Sequence, residues 1–170
     1  VRLAQSSETP SEAYRVTILN TPLVNAFALP SGNLYMTRGL LALANDSSEI
    51  AAVMAHEIAH VSARHASARA ELEKNAAVIS KAASLIQGAQ KSNEVKNSGR
   101  LSLASFSRQQ ELEADQIGVR AIARAGYDPY GAARFLTSLG RASSLRASLF
   151  GQRGGEDQPD ILATHPSTPE

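Results

Sequence analysis

The sequence predicts an α+β fold that is mostly helical and carries a small β-sheet at its N-terminus. Segments with the alternating pattern of β-strands occur only before residue 40. The patterned segments that follow have the three-to-four-residue spacing of amphipathic helices. With 170 residues, 43% of them hydrophobic, the chain is long enough to bury a core without disulfides, so we predict a single domain over residues 1–170.

The N-terminal region contains three candidate strands. Tyr14, Val16 and Ile18 alternate with polar residues, and Asn20-Thr21-Pro22 marks a turn after them. A second turn signal, Pro30-Ser31-Gly32-Asn33, separates the next two apolar segments. The expected elements are a flexible lead-in at 1–12, strands at about 13–19, 24–29 and 34–37, and a short helix at 40–44.

Helical patterns dominate the rest of the chain. A segment rich in Gly, Ser, Asn and Lys interrupts them and predicts a mobile loop, and Gly and Pro are frequent near the C-terminus. Asp128-Pro129 is typical of a helix start. The expected elements are helices at 46–66, 67–87, 101–124 and 128–139, a loop at 87–100 and a loop-rich C-terminal segment at 143–170.

The predicted helix at 46–66 carries the residues around which the chain is organised. Asp46 can cap its start, and Glu49, three residues later, completes a capping-box pattern. His56 and His60 lie one turn apart on one face, where both imidazoles can bind one metal ion, and Glu57 lies beside that position. This His-Glu-x-x-His arrangement is typical of zinc hydrolases.

The spacing suits metal-assisted hydrolysis. Zinc lowers the pKa of a bound water to about 7, and a neighbouring carboxylate, here Glu57, can take the proton as general base. Core histidines satisfied by hydrogen bonds are the structural alternative. A di-iron site would need a second Glu-x-x-His, and the sequence has none. A mononuclear iron site with two His and one carboxylate stays open but gives Glu57 no role.

A third ligand is expected from Glu111-Leu112-Glu113-Ala114-Asp115. On a helix, Glu111 shares the apolar side with Ala114, Gly118 and Ile122, whereas Glu113 shares a polar side and is expected to be a solvated surface residue. A buried carboxylate needs compensation, which a metal supplies. We therefore predict Glu111 as ligand, with an ion pair to Arg108 as its structural alternative. Asp115 is expected to accept a hydrogen bond from a ligand histidine.

Composition narrows the remaining function classes. A net charge of +1 with both signs dispersed predicts no nucleic-acid partner. No apolar run approaches the roughly 18 residues of a spanning helix, so no transmembrane segment is expected in the chain. The start at Val1, without Met or a signal-peptide pattern, is typical of a trimmed mature form. His65, five residues after His60, is expected to point away from the metal and to be structural.

Together these residues resemble metallopeptidase family forty-eight, which includes CAAX prenyl endopeptidases, HtpX-type membrane proteases and soluble periplasmic proteases of the BepA kind. The sequence is most similar to the soluble branch. It lacks the membrane helices of the prenyl branch and the tetratricopeptide repeats that often follow in the soluble one. The motifs that carry the resemblance are Asn25 to Gly32, Thr37 to Leu41, His56 to Val61, Ser107 to Asp115, Gly126 to Pro129 and Thr164 to Pro166.

The resemblance implies a gluzincin-type zinc endopeptidase with one Zn²⁺ on His56, His60 and Glu111 and with Glu57 as base. It implies an extended polypeptide substrate along the edge strand at Asn25, Ala26 and Phe27, which borders the active-site helix. It also implies unfolded or misassembled envelope proteins as substrates, membrane-proximal ones among them, and a periplasmic or otherwise exported location, with the cytoplasm left open.

His165 is the remaining candidate. Pro166 restricts its backbone to extended conformations, which helps to present the ring. In related soluble proteases a His-Pro segment approaches the site, which implies that His165 acts as a fourth zinc ligand that blocks the water position or as an oxyanion donor. Exposure to solvent is the structural alternative. A blocked site would suit a latent protease that works mainly as a chaperone or assembly factor.

Overall fold

The computed structural model describes residues 2–6, 13–150 and 161. It confirms the predicted fold class, because helices predominate and a small three-stranded sheet lies near the N-terminus. In chain order the elements are α1 (Arg2–Ser6), β1 (Arg15–Leu19), β2 (Ala26–Ala28), β3 (Asn33–Thr37), α2 (Arg38–Leu43), α3 (Ser47–Ser62), α4 (His65–Arg124) and α5 (Gly131–Phe150).

The sheet has the strand order β1-β3-β2, so β2 forms one of its edges. β1 runs parallel to β3, and β2 runs antiparallel to it with Phe27 opposite Tyr35. The rings of these two residues stack with centroids 4.9 Å apart. Ala26 is 1% exposed and belongs to the same apolar cluster as Val53 of α3. The edge strand therefore lies against α3, as the sequence predicts.

Thr37, at the end of β3, fixes the chain before β2. Its buried hydroxyl donates to the Leu23 carbonyl at 2.6 Å and accepts from the Asn25 N–H at 3.0 Å. The same oxygen caps α2 by accepting from the Leu40 N–H at 3.2 Å. One side chain thus connects the sheet to the first helix after it, which fixes where β2 begins.

Helix α3 begins where the capping residues predict. The Asp46 carboxylate accepts from the N–H groups of Ser48 at 2.7 Å and Glu49 at 3.0 Å. Glu49 is 1% exposed and reaches back one residue further than a capping box requires, to the Asn45 N–H at 2.9 Å. Arg134 of α5 pairs with Asp46 at 2.8 Å and lies 3.7 Å from Glu49, so the buried carboxylate is compensated.

The predicted extension of this helix to residue 66 is wrong. Helix α3 ends at Ser62, and the next helix begins at His65. Between them Arg64 adopts a left-handed conformation with φ 55°. Such a residue redirects the chain, because it cannot continue a right-handed helix. His65 is therefore not placed by the spacing of a single helix.

Helix α4 turns back on itself. At about 1.5 Å per residue, a straight helix would separate residues 65 and 110 by about 68 Å. Yet the Gln110 Nε2 donates to the His65 carbonyl at 3.0 Å. We call residues 65–82 the first arm and residues 103–124 the second arm. The second arm runs antiparallel to α3, because Asp115 contacts His56 and Ile122 packs beside Ala51.

Three further expectations differ from the structure. Residues 87–100, predicted as a loop, have a helical backbone, since this stretch contains no Pro and its two Gly cost only about 1 kcal/mol each. The lead-in contains α1, which buries Leu3. Helix α5 runs from Gly131 to Phe150, beyond the predicted end at 139 and into the predicted loop-rich segment, of which residues 151–160 and 162–170 lie outside the described residues.

The core lies on two sides of α3. One cluster joins α3 to the second arm of α4 and includes the fully buried Ile122. The other joins α3 to the sheet, α2 and α5 through Leu40, Val53 and Phe135. A third, smaller cluster of Ala59, Ala114 and Ile117 also joins α3 to the second arm. Helix α3 is thus enclosed between the second arm on one side and the sheet, α2 and α5 on the other. Within the described residues, no helix has both the length and the apolar character needed to cross a membrane.

Gly39 offers a direct test of this packing. A Cβ at Gly39 would overlap the backbone carbonyl oxygens of Pro22 and Leu23, neither of which can move freely. We expect Gly39→Ala to lower the free energy of unfolding by about 1–3 kcal/mol, measured by chemical denaturation. Gly140→Ala is the matched control, because no atom lies within 4 Å and alanine favours helices, so stability should rise by up to about 1 kcal/mol. Equal stability of both variants would contradict this packing.

Candidate metal centre

Helix α3 presents both motif histidines to one point. His56 and His60 lie one turn apart, and their Nε2 atoms are 3.0 Å from each other. The rings meet edge to face with centroids 4.7 Å apart. Both side chains are 17% exposed, so the pair lies at the bottom of an accessible face rather than within the core. Part of each ring is therefore accessible to solvent.

Glu111 of the second arm completes a group of three donors. Its Oε2 lies 3.3 Å from His56 Nε2, and its Oε1 lies 3.5 Å from His60 Nε2. One donor atom from each of the three residues lies within 4.8 Å of the other two. At zinc–ligand distances of about 2.0–2.2 Å, neighbouring ligands of a tetrahedral ion are roughly 3.3–3.6 Å apart. The two distances to Glu111 lie in this range, and the 3.0 Å between the two histidine nitrogens is slightly shorter. The donor set suits zinc, which would take one further ligand.

The second arm lies unusually close to α3 at this point. A Cβ at Gly118 would lie 3.2 Å from the His56 backbone nitrogen and 3.4 Å from the Ala55 carbonyl carbon. A larger residue at position 118 would therefore increase the distance between the second arm and α3. Because Glu111 lies two turns before Gly118 on the same helix, this approach brings its carboxylate to the histidines.

Asp115 contacts the ring nitrogen of His56 that does not face Glu111. Its Oδ1 lies 2.8 Å from His56 Nδ1, the nitrogen on the far side of the ring from Glu111. A proton on Nδ1 that is donated to this carboxylate leaves Nε2 with a lone pair directed at the three-donor group. The contact is therefore the one expected of a carboxylate that would favour the metal-binding tautomer of His56.

Glu57 lies next to the donor group but is not part of it. The side chain belongs to α3 and is 4% exposed. Its negative charge is felt at His56, where it favours the protonated ring. A buried carboxylate beside a metal site can accept a proton without occupying a ligand position.

His65 and Glu113 form a contact that the sequence did not predict. His65 is 5% exposed, and its Nδ1 lies 3.0 Å from His60 Nδ1, so it contacts a candidate ligand instead of pointing away. Glu113 is 60% exposed, as expected of a surface residue, yet its Oε2 lies 3.4 Å from His65 Nε2. A signal for this pair would have been a helix end before His65, but Ala63-Arg64 contains neither Gly nor Asn, the residues that usually follow the end of a helix.

Two pKa shifts describe the electrostatics of the site. Burial lowers the pKa of His56, but the hydrogen bonds to Asp115 and Glu111 outweigh it and raise the pKa from 6.5 to about 10. Burial and the neighbouring His60 ring lower the pKa of His65, so His65 is neutral at neutral pH. Without metal, His56 therefore carries a positive charge that offsets the surrounding carboxylates.

We expect zinc binding to release about one proton from His56 between roughly pH 7 and 9. Below its pKa of about 10, the metal-free ring is protonated, and a ligand nitrogen must lose that proton. Calorimetry in buffers of different ionisation enthalpy measures the number released, and apparent zinc affinity should rise with pH in this range. Asp115→Asn should reduce the release, because it removes a carboxylate that favours the charged ring. Zinc binding without proton release at pH 8 would contradict the shift.

The remaining candidates from the sequence are placed in part. Asn25 precedes the edge strand β2, Ala26 begins it, and Phe27 is its exposed central residue. His165 lies outside the described residues. Four residues before it, the Ile161 N–H donates to the Val24 carbonyl at 3.2 Å, and Ile161 packs in the cluster that contains Val53.

Comparisons with known proteins identify two groups of similar proteases. The chain is 34% identical over 164 residues to the mitochondrial metalloendopeptidase OMA1 of Arabidopsis thaliana, which covers 96% of the chain and 31% of that protein. It is 31% identical over 176 residues to the beta-barrel assembly-enhancing protease of Escherichia coli O157:H7, covering 98% of the chain and 34% of that protein. The chain thus spans about a third of the length of these relatives.

The family comparison extends over the full length. The model of peptidase family M48 matches residues 1–170, which include the two histidines of α3 and the carboxylates of the second arm. This chain therefore belongs to peptidase family M48.

Proposed function

We propose that the chain is the catalytic domain of a zinc endopeptidase. One observation carries the proposal: His56, His60 and Glu111 direct two nitrogens and a carboxylate oxygen at one point beside a buried glutamate. A bound zinc ion would supply Lewis-acid activation of water for attack on a peptide carbonyl. The proposal treats residues 1–170 as one peptidase domain, in keeping with the family match over all of them.

Each residue near the site has a task in this proposal. His56 and His60 hold the ion through Nε2, and Asp115 keeps His56 in the required tautomer. Glu57 takes the proton from the attacking water and passes it to the departing amine nitrogen, so it acts first as base and then as acid. Its side chain is buried beside the three donors, which suits a group that exchanges a proton with a water bound there.

The outer edge of β2 is our candidate for substrate binding. The Asn25 carbonyl accepts from the Thr37 N–H and the Leu29 N–H donates to the Asn33 carbonyl, so these alternate residues are bonded to β3. In an edge strand the intervening residues direct their backbone groups outward, which here are Ala26 and Ala28. An extended polypeptide could pair with them by β-augmentation. Asn25 and Phe27 would then support the strand from the β3 side.

The names of two relatives support a proposal for substrate class and location. One relative is named for enhancing β-barrel assembly and another is mitochondrial. We assign unfolded or misassembled envelope proteins as substrates, with an exported or periplasmic location for this chain.

Zinc content and peptide hydrolysis of the purified chain test the proposal. We expect one zinc per chain and cleavage of an unfolded polypeptide such as reduced casein. A chelator such as 1,10-phenanthroline should stop the cleavage, and added zinc should restore it. A chain that holds zinc but cleaves no unfolded polypeptide would favour the alternative below. A chain that binds iron in preference to zinc would contradict the proposal.

A latent protease that acts mainly as a chaperone or assembly factor is the second candidate. The observation that favours it is Ile161, whose N–H donates to the carbonyl of Val24, two residues before the edge strand β2. Ile161 therefore lies near one end of the edge proposed for substrate. His165 follows four residues later, and four residues of extended chain span at most about 14 Å.

We expect His165→Ala to increase peptide hydrolysis with zinc content unchanged. If His165 blocks the open metal position, removing its imidazole frees that position. Initial rates of peptide cleavage measure the effect, and Ser167→Ala in the same segment is the control. A lower rate with zinc retained would indicate an oxyanion donor instead. An unchanged rate would remove both roles.

A further inference from the structure

The far nitrogen of His60 faces another histidine. His60 directs Nε2 at Glu111 and His56, and its Nδ1 lies 3.0 Å from Nδ1 of His65. The two rings are nearly perpendicular, at 79°, with centroids 4.8 Å apart. His65 is 5% exposed, so this contact is protected from water. The arrangement behind His60 thus parallels that behind His56, but an imidazole stands where His56 has a carboxylate.

The tautomers along this contact are coupled. A neutral imidazole has one N–H and one bare nitrogen, so a histidine that binds metal through Nε2 carries its proton on Nδ1. The Nδ1–H of His60 must then donate to Nδ1 of His65, which has to be bare. His65 in turn carries its proton on Nε2, and that atom lies 3.4 Å from Oε2 of Glu113, an acceptor. In this arrangement the facing atoms of His60, His65 and Glu113 form one donor–acceptor series.

The opposite arrangement would disable the ligand. If His65 carried its proton on Nδ1, it would donate to Nδ1 of His60 and drive the His60 proton onto Nε2. A protonated Nε2 has no lone pair for a metal. Glu113 opposes this state, because a carboxylate beside His65 Nε2 favours a proton on that nitrogen. The position of Glu113 therefore bears on a ligand that it does not touch.

His65 is held firmly enough for this task. The left-handed Arg64 redirects the chain between α3 and α4, which brings the ring back against His60. The buried Gln110 donates from Nε2 to the His65 carbonyl at 3.0 Å. Gln110 and Glu113 both belong to the second arm, the segment that also carries Glu111 and Asp115. One helical segment thus supplies a ligand and the support for both histidines.

We propose that His65 is a positioning residue that holds His60 in its metal-binding tautomer, and that Glu113 holds His65 in the matching one. The inference rests on the proposed zinc site. It gives the second arm two parallel supports: Asp115 acts directly on His56, and Glu113 acts on His60 through His65. Neither His65 nor Glu113 contacts the ion or the substrate in this arrangement.

Two near-isosteric substitutions test the inference. Asparagine and leucine have nearly the same shape, but only asparagine keeps an acceptor at the position of His65 Nδ1. We expect His65→Leu to lower zinc affinity by about 10- to 100-fold, and His65→Asn to retain it within a few-fold. Competition with a chromophoric chelator measures the affinity. The d–d absorption spectrum of the Co²⁺-substituted protein should change in the leucine variant and stay close to wild type in the asparagine variant.

Glu113 can be replaced without disturbing the buried residues of the site. Its side chain is 60% exposed, so Glu113→Ala should leave the melting temperature of the metal-free protein unchanged. We expect it to weaken zinc binding less than His65→Leu does. When combined with His65→Leu, Glu113→Ala should not lower zinc affinity further, because the His65 imidazole through which Glu113 acts on His60 is already absent. Glu71→Ala, an exposed carboxylate on the first arm, is the matched control.

The outcomes separate this inference from the proposed function. Failure of the wild-type chain to bind zinc would overturn the metal site itself. Wild-type zinc binding with equal affinities for both His65 variants would overturn the positioning role while leaving the site intact. Additive losses from Glu113→Ala and His65→Leu would show that Glu113 acts by another route, which would also overturn the inference.

Discussion

Replacing Glu57 with glutamine should lower peptide hydrolysis by about 10²- to 10⁴-fold while the chain keeps its zinc. Glutamine preserves the size of the side chain and fits the same buried position, which is 4% exposed. Its amide oxygen cannot take a proton from water near neutral pH. The loss should appear in kcat, since the proton moves only as the peptide bond is attacked. Initial rates and zinc content measured on one preparation check both parts.

The control for Glu57→Gln is the same change at an exposed position. Glu71 lies on the first arm of α4 and is exposed, so Glu71→Gln should change neither rate nor zinc content. If Glu57→Gln hydrolysed peptides at the wild-type rate, the base would lie elsewhere. Loss of zinc from Glu57→Gln would indicate that the substitution disturbs the ligands and not only the proton transfer.

Helices were predictable where the sequence has a clear N-terminal capping residue and a regular helical spacing of apolar residues. Asp46 and the apolar residues after it predict α3, and both core clusters contact that helix. The strands were also predictable, but their burial was not. Val16 and Ile18 have the alternation of a half-buried strand, yet they are 46% and 64% exposed in β1. Alternating apolar and polar residues indicate a strand that pairs with a neighbour, here β3. The burial of its side chains depends on which elements pack over the sheet.

The residues of the candidate metal site come together as helical spacing predicts because α3 and the second arm pack antiparallel. Along the second arm, Glu111, Asp115 and Gly118 recur at intervals of three and four, so all three face α3. This is why the apolar stripe separated Glu111 from Glu113. The same reasoning underestimated Glu113, because a long side chain at the flank of a helix can reach a neighbour while most of it stays exposed.

His65 could not be placed from the sequence because its position depends on one backbone torsion. In a continuous helix, a residue five positions after His60 points to a different side. The left-handed Arg64 breaks that relation, and arginine is not a residue that signals such a conformation. Tertiary contacts from Gln110 help to hold the chain there. The turn is therefore specified by packing and not by local preference.

Replacing Glu111 with glutamine should weaken zinc binding by at least about 10²-fold and should abolish hydrolysis. Losing a residue that only hydrogen-bonds to a zinc ligand typically costs about 10- to 100-fold in affinity, and losing a ligand should cost more. A neutral amide oxygen is a poor ligand for zinc compared with a carboxylate, and the two histidines alone leave the ion with too few protein ligands. Chelator competition measures the affinity. Glu113→Gln, two residues away on the same helix, should lose less than about 10-fold, since glutamine can still accept from His65.

The same comparison can be made through stability. Zinc at 100 times its dissociation constant should raise the free energy of unfolding of the wild-type chain by about 2.7 kcal/mol. Glu111→Gln at that zinc concentration should show almost none of this gain, whereas Glu113→Gln should keep more than half of it, because the gain falls only as the logarithm of affinity. Melting temperatures with and without chelator give both values. If the two variants exchanged behaviour, Glu113 would be the ligand, and the helical spacing of the second arm would have been misinterpreted.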